Sequence, residues 1–119
     1  MRRDEETLLD IVGAAQRIGR FIREFGEYDE FLDDDMAQSA VLFQLSVIGE
    51  ATKRLSMEFR DAHPQVPWRL MAGMRDRLIH GYDGIDFELV WEAASESVPR
   101  VLALISPLLP GTGTPDLFS

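Results

Sequence analysis

Apolar residues recur along this chain at helical spacing. Leu8, Leu9, Ile11, Val12, Ala15, Ile18, Phe21, Ile22 and Phe25 fall on one stripe, which predicts an amphipathic helix over about residues 4–25 with Gly26 as its stop. A short turn or helix is expected at Tyr28 to Leu32, after which Asp33, Asp34 and Asp35 supply capping oxygens and favourable charge for a new helix N-terminus. The next stripe, Ala37, Val41, Leu42, Leu45, Ile48, Ala51, Leu55 and Phe59, predicts the longest helix, over about residues 36–60.

Prolines at 64 and 67 break the pattern between Asp61 and Pro67, and Pro67 suits the first turn of a following helix. That fourth helix is expected from about Trp68 to about His80, with Gly73 a weak point inside it and Gly81 at its end. Asp86 reads as the N-cap of a last helix through Phe87, Leu89, Val90, Trp91, Ala94, Val98, Val101, Leu102 and Ile105, kinked at Pro99. No strand pattern, internal repeat or linker interrupts these segments. The expected fold is therefore all-α, a four- to five-helix up-down bundle over residues 1–109, followed by a flexible tail at residues 110–119 that is rich in Gly, Thr and Pro.

Composition narrows the function classes. With 119 residues, 45% of them hydrophobic and 28% charged, the chain is a single globular domain rather than a disordered or fibrous one. The absence of cysteine excludes a disulfide framework, thiol catalysis and thiolate metal sites. The opening residues, MRRDEETLLD, carry acids where a signal peptide needs an apolar run, and no apolar stretch approaches membrane-spanning length, so the expectation is a cytoplasmic protein without membrane contact. A net charge of −9 works against non-specific nucleic-acid binding. The charges are segregated, however: Arg69, Arg75 and Arg77 fall in one stretch, while acids crowd residues 24–35.

The stretch Met74 to Tyr82, MRDRLIHGY, gathers a phosphate-binding arginine, a neutral-pH proton carrier and a phenol in Arg75, His80 and Tyr82. Counted at 3.6 residues per turn, His80 sits one turn beyond Asp76, which would orient the imidazole, and Tyr82 lies nearly above Arg75. A histidine in the last helical turn is also held near the carbonyl end of the dipole, which raises its proton affinity. Each residue has a plainer reading too. Arg75 and Arg77 fit a solvated face, His80 a helix C-cap, Tyr82 a half-buried anchor and Asp76 an ion-pair partner of Arg77 or of a neighbouring helix. His63, the one other histidine, has no recognisable metal-ligand pattern around it and reads as a loop residue.

Arg75, four residues, His80, one residue and Tyr82 form the Arg-x4-His-x-Tyr motif of HEPN toxins. Around it, IGEATKRL at residues 48–55, Pro67-Trp68, Gly73-Met74-Arg75, Ile79 to Tyr82, Ile85-Asp86 and Val90-Trp91 resemble the HepT family, and the resemblance spans residues 5–108. One departure is Asp76, where these proteins often carry Asn; both side chains can orient a histidine, and the extra negative charge beside a phosphate site would slow catalysis. The resemblance implies a bundle of the HEPN type, paired as a homodimer, acting as the toxin of a type VII toxin-antitoxin system. The implied activity is metal-independent RNA endonuclease cleavage with Arg75 and His80 catalytic and Asp76 and Arg77 supporting. It further implies an MntA-like nucleotidyltransferase antitoxin that uses ATP and magnesium to transfer AMP to Tyr82. Two readings from other classes stand beside it: a nucleotide-binding accessory subunit of the same fold, and a partner-binding helical module without nuclease activity.

Overall fold

The computed structural model describes residues 2–79 and 84–110, and among them the chain is all-α, with eight α-helical segments. The first, α1 (Arg2–Phe25), buries Leu8, Ile11, Val12, Ala15 and Ile18 along the predicted stripe. It ends at Gly26, whose φ of +74° is a conformation that side chains disfavour, and whose N–H donates to the Ile22 carbonyl at 2.8 Å. The short α2 (Tyr28–Leu32) buries Phe31, and the Asp34 carboxylate accepts the Ala37 N–H at 3.0 Å to cap α3 (Asp35–Arg54).

α1 and α3 run antiparallel. Arg17 near the end of α1 reaches Gln44, Asp10 faces Arg54, and Asp4 in the first turn meets Ser56 just past the end of α3. This last contact corrects the predicted helix over 36–60, which is in fact two. Leu55 is buried in an extended conformation (φ −65°, ψ 141°), and the Asp4 carboxylate accepts both the Ser56 N–H at 2.9 Å and the Ser56 hydroxyl at 2.7 Å. An N–H bound to a carboxylate cannot also donate to the i−4 carbonyl, so α3 stops. Ser56 Oγ in turn accepts the Phe59 N–H at 3.0 Å and caps α4 (Met57–Ala62).

His63 closes α4, its ring tilted against Phe59 with centroids 4.7 Å apart, and its carbonyl accepts the Trp68 indole N–H at 2.9 Å. Pro67 stands one residue ahead of its expected place, immediately before α5 (Trp68–Ala72). The predicted helix to His80 divides at Gly73 into α5 and α6 (Met74–Leu78) and stops short of the histidine. Ile79 is extended (φ −117°, ψ 116°) and forms an antiparallel bridge with Ile85, while the Asp86 N–H donates to the Leu78 carbonyl at 3.0 Å. That bond takes the carbonyl that a further helical turn would have used.

The last helix begins as predicted, with the Asp86 carboxylate accepting the Leu89 N–H at 3.1 Å. It comprises α7 (Phe87–Glu92), a wider π-helical turn over Ala93–Ser97, and α8 (Val98–Ile105). Pro99 lacks an N–H, and the irregularity expected of it takes the form of that wider turn just ahead of it. Ile18, Leu45, Ile48, Met71, Val90, Val98 and Ile105, drawn from α1, α3, α5, α7 and α8, share one core. α5 lies so near α3 that a Cβ on Gly49 would stand 3.4 Å from the Ala72 carbonyl oxygen. No described helix is long and apolar enough to cross a membrane. The tail expected to be flexible falls, from residue 111 onward, outside the described residues.

Candidate active site

Met74 and Leu78, four residues apart, are buried and anchor α6, which turns Arg75, Asp76 and Arg77 to solvent. The ion pairs among the described residues are Lys53–Glu50 and Arg54–Asp10, so Asp76 is not the partner of Arg77. Both guanidinium groups are therefore without a carboxylate partner among these residues, as an anion-binding strip requires. The Arg77 guanidinium folds back over Gly73, where an added Cβ would stand 3.5 Å from Nη1. Arg69, grouped with these by sequence, faces a cavity between α4 and α5 that it shares with Arg60. Sequence reasoning misses Arg60, because it puts this residue at the far end of an unbroken helix; Ser56 as a capping residue after Leu55 was the available signal.

His80 and Tyr82 lie outside the described residues. Their flanks are described. The Ile79–Ile85 bridge brings both ends of the segment together, and Gly84 takes a φ of +95°, a region that favours glycine. Ile79 is extended, so the described part of α6 ends before the histidine, and the expected placement of His80 in a last helical turn and of Tyr82 above Arg75 lies outside the described residues. The Asp86 cap on α7 holds the far flank.

Beside that flank stands an aromatic cluster. Phe31 packs edge-on against Phe87 at 6.3 Å and tilted against Trp91 at 5.3 Å, and Tyr28 lies 6.1 Å from Trp91. Burial, followed by the carboxylates of Glu88, Asp86 and Asp29, pushes the Tyr28 phenol above its ordinary value. Acids without an ion-pair partner among the described residues gather around α2 and α7, and arginines along α5 and α6. No three described His, Asp or Glu side chains converge to hold a metal ion.

The sequence pattern of the family described as "Ribonuclease HepT-like" matches residues 11–108, which includes the whole strip from Arg69 to Tyr82. "Probable ribonuclease HepT" of Thermococcus cleftensis is 42% identical over 100 residues, covering 84% of this chain and 90% of that protein. "Putative RNase MJ1380" of Methanocaldococcus jannaschii is 39% identical over 101 residues, 84% of this chain and 92% of its own. "Putative RNase TTE0752" of Caldanaerobacter subterraneus is 38% identical over 82 residues, 69% of this chain and 73% of its own. No solved structure matches the chain at a significant level.

Proposed function

This chain belongs to the HepT-like ribonuclease family, and from that premise we propose that it is an endoribonuclease whose reacting groups are Arg75 and His80. The observation that carries the reading is Arg75 itself, exposed on α6 without a described carboxylate partner and five residues ahead of a histidine. A planar guanidinium fork binds the scissile phosphate and stabilises the charge that grows on its equatorial oxygens. The ribose 2′-hydroxyl loses its proton and attacks phosphorus, the bond to the 5′-oxygen breaks, and that oxygen takes up a proton, leaving a cyclic phosphate and a 5′-hydroxyl. His80 moves one of these protons. In a homodimer that brings two motifs into one cleft, His80 of the partner subunit moves the other. Cleavage by this route requires no metal.

Regulation in this reading acts through Tyr82. An MntA-like nucleotidyltransferase antitoxin, supplied with ATP and magnesium, lets the phenol oxygen attack the α-phosphorus; pyrophosphate leaves and the phenol proton passes to solvent. Negative charge and bulk are then added two residues after His80, where they compete with RNA for the phosphate clamp. The setting is cytoplasmic, as the toxin of a type VII toxin-antitoxin system.

The test is cleavage of single-stranded RNA in excess EDTA, with the assembly state followed by light scattering. Wild type is expected to cut as a dimer, His80→Ala to be inactive, and Tyr82→Phe to cut but to escape AMP transfer, read as a missing mass increment. Wild-type protein that is inert with or without metal would overturn the proposal. Mass increments persisting on Tyr82→Phe would move the acceptor to Tyr28, the other tyrosine of the chain.

A further inference from the structure

The turn between α4 and α5 folds the chain back on itself, and the two helices border a cavity of about 460 Å³. Arg60 and Arg69 face it together with Met57, Pro64, Trp68 and the carboxylate-bearing Asp61. Asp61 forms no ion pair with either arginine. Arg60 Nε is buried and has no hydrogen-bond partner among the described residues. A buried guanidinium N–H without an acceptor is costly, and the cost is removed when an anion enters beside it.

Arg69, in the first turn of α5, stands six residues before Arg75 on α6, with the break at Gly73 between them. Between them the Arg77 guanidinium returns over Gly73, whose hypothetical Cβ would stand 3.5 Å from Arg77 Nη1 and 3.6 Å from the Arg69 carbonyl oxygen. Arg60, Arg69, Arg75 and Arg77 are thus carried on three consecutive short helices, α4, α5 and α6, in a chain whose net charge is −9.

We infer that this cavity is a subsite for a nucleotide of single-stranded RNA flanking the scissile phosphate, with Arg60 and Arg69 holding a backbone phosphate and the exposed Met57 and Pro64 receiving the base above the buried Trp68. The inference rests on the ribonuclease reading of Arg75 and His80. Guanidinium groups beside apolar surface suit a strand with unpaired bases: charge for the backbone, an apolar face for the base.

The chain has two tryptophans, so a Trp91→Phe background makes Trp68 the sole indole reporter. In that background, with His80→Ala to prevent turnover, a short oligouridylate is titrated while Trp68 fluorescence is followed. RNA is expected to change the Trp68 signal. Arg60→Gln/Arg69→Gln should weaken binding about tenfold and lower the salt-dependence slope by roughly 0.7 for each phosphate that is no longer neutralised. The control is Arg20→Gln/Arg23→Gln, which makes the same charge change in a separate cavity between α1 and α8. Equal weakening by the control pair would reduce the effect to net charge and overturn the subsite. So would bound RNA that leaves Trp68 fluorescence unmoved, or inorganic polyphosphate that moves it as far as oligouridylate does. If Arg60→Gln impairs folding in thermal melts, Arg69→Gln alone, at an exposed position, carries the test. In the nuclease-competent protein, the double variant should raise KM about tenfold with kcat changed far less. Protein that binds RNA at Trp68 but never cuts it would defeat the ribonuclease reading and leave the subsite standing, whereas cleavage with KM unmoved in the double variant would defeat the subsite alone.

Discussion

Two regions of this protein are made of the same helical material and differ in what interrupts it. α1 and α3 run for 24 and 20 residues, and each presents an uninterrupted buried stripe to the other. The stretch from Met57 to Leu78 divides a similar length among helices of six, five and five residues, separated by a proline turn and by Gly73. Helices that short are not stable alone. They persist because Trp68, Met71, Met74 and Leu78 are buried against the frame. Each interruption re-aims the chain, and the arginines of the strip are left facing outward. The frame supplies stability that the strip lacks, and the strip supplies chemistry that an unbroken amphipathic helix would have had no cause to present.

The sharpest way to break this contrast is Arg75→Ala. RNA cleavage should fall by at least about 100- to 1,000-fold, with the melting temperature almost unchanged because the side chain is exposed. An unfolded variant would make Arg75 part of the frame. Next comes Leu45→Ala in α3, a fully buried position, where denaturant titration should show a loss of about 2–5 kcal/mol, with cleavage retained while the protein remains folded.

A smaller effect is expected at Asp4, whose staple to Ser56 joins the ends of the frame. Asp4→Ala should cost about 1–3 kcal/mol at neutral pH. Burial opposes ionisation of this carboxyl, but the backbone and side-chain hydrogen bonds from Ser56 prevail and hold it below its ordinary value of 3.8. Its contribution is therefore present above that value and is lost as pH falls through the lower folded-state value. Melting temperature measured against pH should show wild type and Asp4→Ala converging in acid; a gap that stays constant would refute the assignment. Smallest is Gly73→Ala. The backbone there (φ −94°, ψ 8°) admits alanine, and its Cβ would meet Arg77 Nη1 at an ordinary 3.5 Å, so thermal melts should show a gain of up to about 1 kcal/mol with RNA binding unchanged. Weakened RNA binding would mean that the break at Gly73 serves the strip.

Much of this was legible beforehand, for reasons that can be named. The stripes of α1 and α3, the short helix at Tyr28–Leu32 and the caps at Asp34 and Asp86 follow directly from the sequence because each depends on residues within one or two turns of one another. The strip was half legible. Its arginines could be named, but the helical path expected for Trp68 to His80 fails at Gly73 and again at Ile79.

By itself, then, the sequence determined an all-α chain, its two long helices, the start of the last one, and the identity of the residues capable of chemistry. All of these rest on periodicity, capping and side-chain type. Tertiary structure alone decided where α3 ends, since the carboxylate that captures Ser56 comes from Asp4, 52 residues away. It also decided where α6 ends, because the bridge partner of Ile79 is Ile85 across a closed segment, and it placed Arg60 beside Arg69. A backbone N–H takes whichever acceptor the fold brings within reach, and no window of a few residues can show an acceptor that arrives from elsewhere in the chain.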